Sequence, residues 1–339
     1  MTADPFAKYI RILGRGPTNS RHLTREEAAV AFGGVLSGEM ADLQVGALLL
    51  LLRYRGESPE ELAGIVDAMR QHIGAPQRDE SDNLGENLTG NLIDWPSYSS
   101  GRSRRLPWFL LSAKLLSENG VKILMHGFNS HLTQGLLTED CLAAVGESPA
   151  ASLAAARQRL ERENFVYLPL RNFCPELLSL LQIRSLLGVR SIVNTAVKLI
   201  NPLAARMIFL GIFHPAYIRL NVAAGGLLGQ PRLGVIKGGG GEAERNILKP
   251  IRLYQVSDGA EQVTSWPAAP GQGRERPDYP VTVEYMRDIW RGRLRNDYAA
   301  AMIQGTTAQA LYLTGRAATV EQAEQMARDY WRQHLEKTG

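Results

Sequence analysis

Residues 89–105 read Thr-Gly-Asn-Leu-Ile-Asp-Trp-Pro-Ser-Tyr-Ser-Ser-Gly-Arg-Ser-Arg-Arg; residues 121–127 read Val-Lys-Ile-Leu-Met-His-Gly. Between them lies a leucine-rich segment with Pro107 in its first turn and Gly120 at its end. Proline at the start and glycine past the end bracket a helix over 107–119. The apolar runs on either side, 91–95 and 121–125, are short enough for strands. A strand, a helix and a second strand in that order predict a parallel pair, because a parallel crossover needs a dozen or more residues. Further apolar runs at 165–170, 232–237 and 253–257 alternate with helical stretches at 138–145 and 152–164. The expected fold is therefore α/β, with a central mostly parallel sheet flanked by helices on both faces.

The chain before this region is helical. Thr24 and Glu27 have capping-box spacing, and Ser58-Pro-Glu-Glu61 adds proline at the first helical position. Asp42 opens an apolar helix that Gly56 closes. The run 48–52 is apolar all round, so a partner subunit or the protein's own core is expected to cover its second side. Residues 75–88 are polar and predict a linker. Two more helices, over 175–187 and 191–200, have no strand between them and fit the helical unit. The expected small all-helical domain is thus 1–75 plus about 172–202, and the large α/β domain is 76–171 and 203–339. Residues 258–282, with four prolines, predict an irregular excursion. Three helices close the chain, the last starting at Thr319 with Gln322 three residues on.

With 339 residues the chain can bury two cores. Apolar content of 45% and charged content of 21% are those of a soluble globular protein. The longest apolar run, 45–52, is too short to span a membrane. The amino terminus lacks a signal-peptide pattern, and Cys141 and Cys174 have no paired spacing, so free thiols in the cytoplasm are expected. A net charge of +4 only mildly favours a polyanionic partner.

The order of several segments resembles the anthranilate phosphoribosyltransferase family. Leu23-Thr-Arg-Glu-Glu-Ala28, Gly46-Ala-Leu-Leu49, Arg55-Gly-Glu-Ser58 and Glu61-Leu-Ala-Gly64 are similar to its helical amino-terminal signature. Arg184 through Asn194, followed by Leu199-Ile-Asn-Pro202, is similar to its interdomain segment, and 296–315 to its closing region. The resemblance implies the two-domain fold shared with class III nucleoside phosphorylases, and a homodimer through the helical domains.

Three departures from that family bear on function. Its Gly-Thr-Gly-Gly-Asp turn, whose backbone amides approach a pyrophosphate, is replaced by Pro96-Ser-Tyr-Ser-Ser-Gly-Arg102. Proline removes a donor there, and side chains fill the space. The family's Lys-His-Gly loop is Met125-His-Gly127. Its magnesium-binding Asp-Glu pair aligns with Ala243-Glu244, beside Arg245, a poor site for an ion that wants several oxygens. The combination resembles the family's YbiB-like branch, which binds nucleic acid without known transferase activity.

The expected function is phosphate-backbone binding of nucleic acid, DNA or RNA, through a basic groove without sequence specificity, with transferase activity lost. No metal, cofactor, membrane contact or catalytic residue is expected. The candidate phosphate-binding residues are Arg102, Arg104, Arg105, Arg184, Arg190, Lys198, Arg206 and His126. Tyr98 is the candidate for base stacking, ahead of Trp95 and Trp108. Residues 179–202 contain no carboxylate to neutralise the cations of the interdomain segment. Lys237 and the four glycines after it could cradle a phosphate, though a free strand-to-helix turn is the simpler reading. The competing reading is a phosphoribosyltransferase or phosphorylase-like enzyme with an unidentified substrate.

Overall fold

The computed structural model describes residues 4–16, 18–76, 90–98, 105–128, 135–271, 273 and 275–338. Four helices come first: α1 (Ala7–Gly14), α2 (Arg25–Leu36), α3 (Asp42–Arg55) and α4 (Pro59–His72). Both expected capping boxes form. The Thr24 hydroxyl accepts from the Glu27 amide at 3.2 Å, and the Glu27 carboxylate accepts from the Thr24 amide at 3.0 Å. Glu61 does the same for Ser58, and its buried carboxylate also accepts from the Leu23 amide at 2.9 Å. One side chain therefore starts α4 and anchors the entry to α2. The expected linker lies almost wholly outside the described residues.

The α/β part runs β1 (Leu92–Ser97), α5 (Trp108–Glu118), β2 (Lys122–Gly127), α6 (Leu153–Arg162) and β3 (Phe165–Pro169). It continues with α7 (Pro175–Gln182), α8 (Arg184–Leu187), α9 (Val193–Ala196), β4 (Met207–Ile212), α10 (Ala216–Leu227) and β5 (Arg232–Lys237). Then come β6 (Ile251–Ser257), β7 (Ala260–Trp266), α11 (Val283–Trp290), α12 (Asp297–Leu313) and α13 (Val320–Thr338). The sheet order is β3-β2-β1-β4-β5-β6-β7. Strands β1 to β5 are parallel, and β6 and β7 complete one edge antiparallel. Successive connections run outward from β1 to β3, then return to β4 on its other side. The carboxyl ends of β1 and β4 therefore flank a topological switch point, where open α/β sheets place their crevices.

Two strands were not expected. Met207–Ile212 is wholly buried and alternates between faces. Met207 and Phe209 join the core formed with α5, α11, α12 and α13, while Ile208, Leu210 and Ile212 join the core shared with α2, α3 and α4. An apolar run buried on both sides carries no period to reveal it. Strand β7 falls in the stretch expected to be irregular. It pairs with β6 through Asp258-Gly259, both at positive φ, in a two-residue hairpin turn. The helical stretch expected at 138–145 takes another form, without a side-chain cap from Thr138. Residues Glu139–Val145 form a 3-10 helix, and the Thr138 hydroxyl instead meets Ser97 Oγ at 2.7 Å. Cys141 and Cys174 are buried and free.

Candidate nucleic-acid interface

The carboxyl end of β1 carries a buried polar chain. Asp94 lies inside β1, and the parallel register sets Pro96 opposite His126 of β2. The Nε2 atom of His126 sits 3.1 Å and 3.2 Å from the two Asp94 oxygens. Its Nδ1 atom is 2.6 Å from the Tyr98 hydroxyl. In the neutral imidazole, Nε2–H donates to Asp94 and Nδ1 accepts from Tyr98. Burial pushes the Tyr98 phenol well above its ordinary range, and the nearby Asp94 adds to this, so the proton stays on Tyr98. All three residues are buried. Next to them, Gly127 is required, because a Cβ there would come 2.0 Å from the Ser97 carbonyl.

The sequence expectations for this end are corrected accordingly. Tyr98 has no ring face open to solvent, and Trp95 and Trp108 are core residues. His126 is occupied by Asp94 and Tyr98 and does not reach solvent. Arg102 and Arg104 lie outside the described residues.

Lys198 is also buried. Its ammonium donates to the carbonyls of Gly211 at 2.7 Å and Gly241 at 2.6 Å, tying the loop after β5 to the end of β4. Burial lowers its pKa from 10.5 to about 8; Glu242 opposes the shift and Arg190 adds to it. It is a structural tie, not a groove cation. Arg190 is half-buried, and its guanidinium is pulled down by desolvation and by the nearby Arg184 and Arg53. Arg184 and Arg190 of the interdomain segment thus lie near Arg53 of α3, which meets the Glu57 carboxylate at 3.8 Å. Arg206 stands apart. It precedes β4, at the sheet edge opposite the carboxyl ends, 4.0 Å from Asp258.

At the carboxyl ends of β4 and β5 the sheet edge is open. A cleft of about 790 Å³ is lined by Arg105, Phe213, His214, Lys237, Lys249, Arg252 and Tyr254, with the Gly238–Gly240 backbone and the first turn of α10. Arg105, Lys237, Lys249, Arg252 and His214 are all exposed. Among the described residues that line the cleft, none is acidic. The glycines have a steric cause. A Cβ on Gly211 or Gly238 would come 2.0 Å or 1.5 Å from the Glu242 carbonyl, so the returning chain fits only between two glycines. Gly240 and Gly241 both have positive φ. Tyr217, in the first turn of α10, bonds Arg53, so the interdomain arginines border the turn that lines the cleft.

Of the residues singled out in the sequence, the cleft contains Arg105 and the Lys237 loop. Lys249, Arg252, Phe213 and His214 were missed. Arg252 and Tyr254 alternate with the buried Ile251 and Leu253 along β6, a period-2 signal that marks them as outward-facing.

The residues aligned with the family's magnesium pair do not fit that ion. Ala243 offers no oxygen. The single carboxylate, Glu244, is buried and accepts from the Phe109 amide at 3.1 Å, filling the amino terminus of α5. An internal carboxylate therefore meets the positive end of the helix next to Arg105. Arg245 does not crowd Glu244 as expected; its guanidinium turns to Glu324 at 2.9 Å and the Pro267 carbonyl at 2.6 Å. Elsewhere among the described residues, His72, Cys174 and Glu176 bring possible ligand atoms within 4.8 Å. There a histidine–carboxylate pair at 3.4 Å and a thiol–carboxylate contact at 3.7 Å join α4 to the start of α7.

A helical bundle joined to a parallel α/β sheet with its crevice at the switch point defines a two-domain transferase fold. The chain belongs to the glycosyl transferase family: the model of its helical bundle domain matches residues 7–73, and that of its a/b domain residues 109–333. YbiB of Escherichia coli K12 is 31% identical over 63% of this chain and 64% of its own length, so the match spans a little under two thirds of that relative. Anthranilate phosphoribosyltransferase of Oleidesulfovibrio alaskensis is 30% identical over 71% of this chain and 70% of its own. Among solved structures, anthranilate phosphoribosyltransferase from Thermus thermophilus superposes with a TM-score of 0.76 at 22% identity, covering 99% of this chain and 98% of its own. The Saccharomyces cerevisiae enzyme in complex with PRPP and Mg gives 0.77 at 14% identity, over 98% and 95%. The anthranilate phosphoribosyltransferase-like fold is thereby established.

Proposed function

We propose that this protein binds nucleic acid through the basic cleft at the ends of β4 and β5, without sequence specificity and without retained transferase activity. The carrying observation is a cleft lined by four exposed lysine and arginine side chains and no described acidic residue. Such a surface attracts phosphates along a strand and reads no base edges. The replaced glycine turn, the missing lysine before His126 and the helix-bound Glu244 support the loss of transfer chemistry. DNA is the first candidate and RNA the second. A cytoplasmic homodimer through the helical domain completes the reading. Its support is the stripe Leu43, Leu50 and Tyr54 along α3, with Leu43 86% and Tyr54 90% exposed.

The test is a binding titration of a mixed-sequence oligonucleotide at several salt concentrations. The logarithm of affinity should fall linearly with the logarithm of salt, by roughly 0.7–0.9 for each phosphate contacted. An affinity indifferent to salt would sink the proposal. The family relatives favour a second reading, a phosphoribosyl transfer enzyme with a different acceptor. Calorimetry with phosphoribosyl pyrophosphate and magnesium separates the two: saturable binding supports the enzyme.

A further inference from the structure

We infer that Phe213 is a base-stacking platform, so that the cleft takes a single-stranded nucleotide segment in preference to a duplex. The inference rests on the nucleic-acid reading above and adds the strand form and the residue that selects it.

A lone exposed phenylalanine is ordinary on a protein surface. Phe213 differs in its setting. It is the first residue after β4, half exposed at 52%, inside a cleft that also carries Arg105, Lys237, Lys249 and Arg252. Its root is fixed: its Cβ and its amide lie 3.7 Å from where a Cβ on Gly241 would sit, against the glycine loop. The adjacent His214 ring meets it edge to face, with centroids 4.8 Å apart and planes at 88°. Lys198 ties that same loop, through the Gly241 carbonyl, to the Gly211 carbonyl two residues before Phe213. The arrangement sets an aromatic ring beside a cationic and glycine-lined surface, the pairing that single-strand binders use for a base and its phosphate. A duplex keeps its base faces stacked on one another and offers such a ring phosphates, sugars and base edges but no open base face. Tyr98, the residue expected to stack, is sealed against His126 and leaves this role unfilled at the β1 end.

The experiment compares fluorescence anisotropy of a labelled oligothymidylate, a labelled mixed-sequence duplex and inorganic polyphosphate as an unlabelled competitor. Wild type, Phe213→Ala and Phe213→Tyr are measured at one salt concentration, with thermal unfolding to check that each variant is folded. Phe213→Ala should weaken single-strand binding by about ten-fold, the scale of one lost stack, and leave duplex binding and polyphosphate competition unchanged. Phe213→Tyr should retain wild-type affinity. An unchanged single-strand affinity in Phe213→Ala, or an equal loss on strand and duplex, would overturn the platform and leave the nucleic-acid reading standing. Failure of the wild type to bind either oligonucleotide would overturn both.

Discussion

At the carboxyl ends of β1 and β2 the polar side chains face one another; at the carboxyl ends of β4 and β5 they face solvent. Both ends belong to one sheet edge, on either side of one switch point. Asp94, His126 and Tyr98 contact one another in a buried chain, and Lys198 is bound by two carbonyls. Arg105, Lys237, Lys249 and Arg252 are exposed around an open cleft. A buried polar group must find its partner inside the protein. An exposed cation keeps its hydrogen-bonding capacity for a ligand. Charge type in the sequence does not assign a role until burial is known: Lys198 reads as a phosphate-binding cation and Lys237 as part of a free turn, yet Lys198 is buried and Lys237 exposed.

The largest effect on stability is expected at Asp94. Asp94→Ala would leave His126 Nε2–H buried with no acceptor, and loss of one partner of such a pair costs about 3 kcal/mol or more. Urea denaturation measures it, and a loss under about 1 kcal/mol would show that the chain is not sealed. An effect of comparable size depends on pH at Lys198. Its folded pKa, about 8, lies below the ordinary 10.5 of an unfolded lysine. Between these values the unfolded chain holds a proton that the folded chain has lost, so stability rises with pH. Below pH 8 both states are protonated and the penalty of the buried charge is complete. Relative to Lys198→Met, wild type should gain on the order of 3 kcal/mol from pH 8 to 10.5. A flat difference between the two proteins across that window would contradict the burial of the ammonium.

Legibility in the sequence divides along the same line. The caps at Thr24 and Ser58 and the Pro107 to Gly120 helix are readable because each depends on residues a few positions apart. Strand β4 is not, since burial on both faces erases the alternation that marks a strand. Site residues are harder still. Tyr98 and His126 do stand near the switch point, but whether a ring faces solvent depends on Asp94 of the neighbouring strand, 32 positions from His126. Lys198 reads as a free cation because 179–202 lacks carboxylates. Its partners are backbone carbonyls from β4 and the β5 loop, which composition cannot reveal. Phe213 and Arg252 gain meaning only when β4, never expected as a strand, is set beside β5 and β6.

The smallest effect on stability should come from the open half, and it sharpens the comparison most. Arg105→Ala, Lys237→Ala, Lys249→Ala and Arg252→Ala each remove an exposed side chain, so each should change folding stability by no more than about 0.5 kcal/mol. Their effect belongs to the salt dependence of binding. Each lost phosphate contact should lower the slope of log affinity against log salt by roughly 0.7–0.9, alike for every oligonucleotide sequence. Lys198→Met supplies the contrast. It removes the same formal charge from a buried position beneath the glycine loop, where the ammonium is bound by the Gly211 and Gly241 carbonyls, and should leave the slope at its wild-type value. If Lys198→Met lowered the slope as much as Lys237→Ala, the ammonium would have to be reaching phosphate, and the division between buried and exposed cations at this end of the sheet would fail.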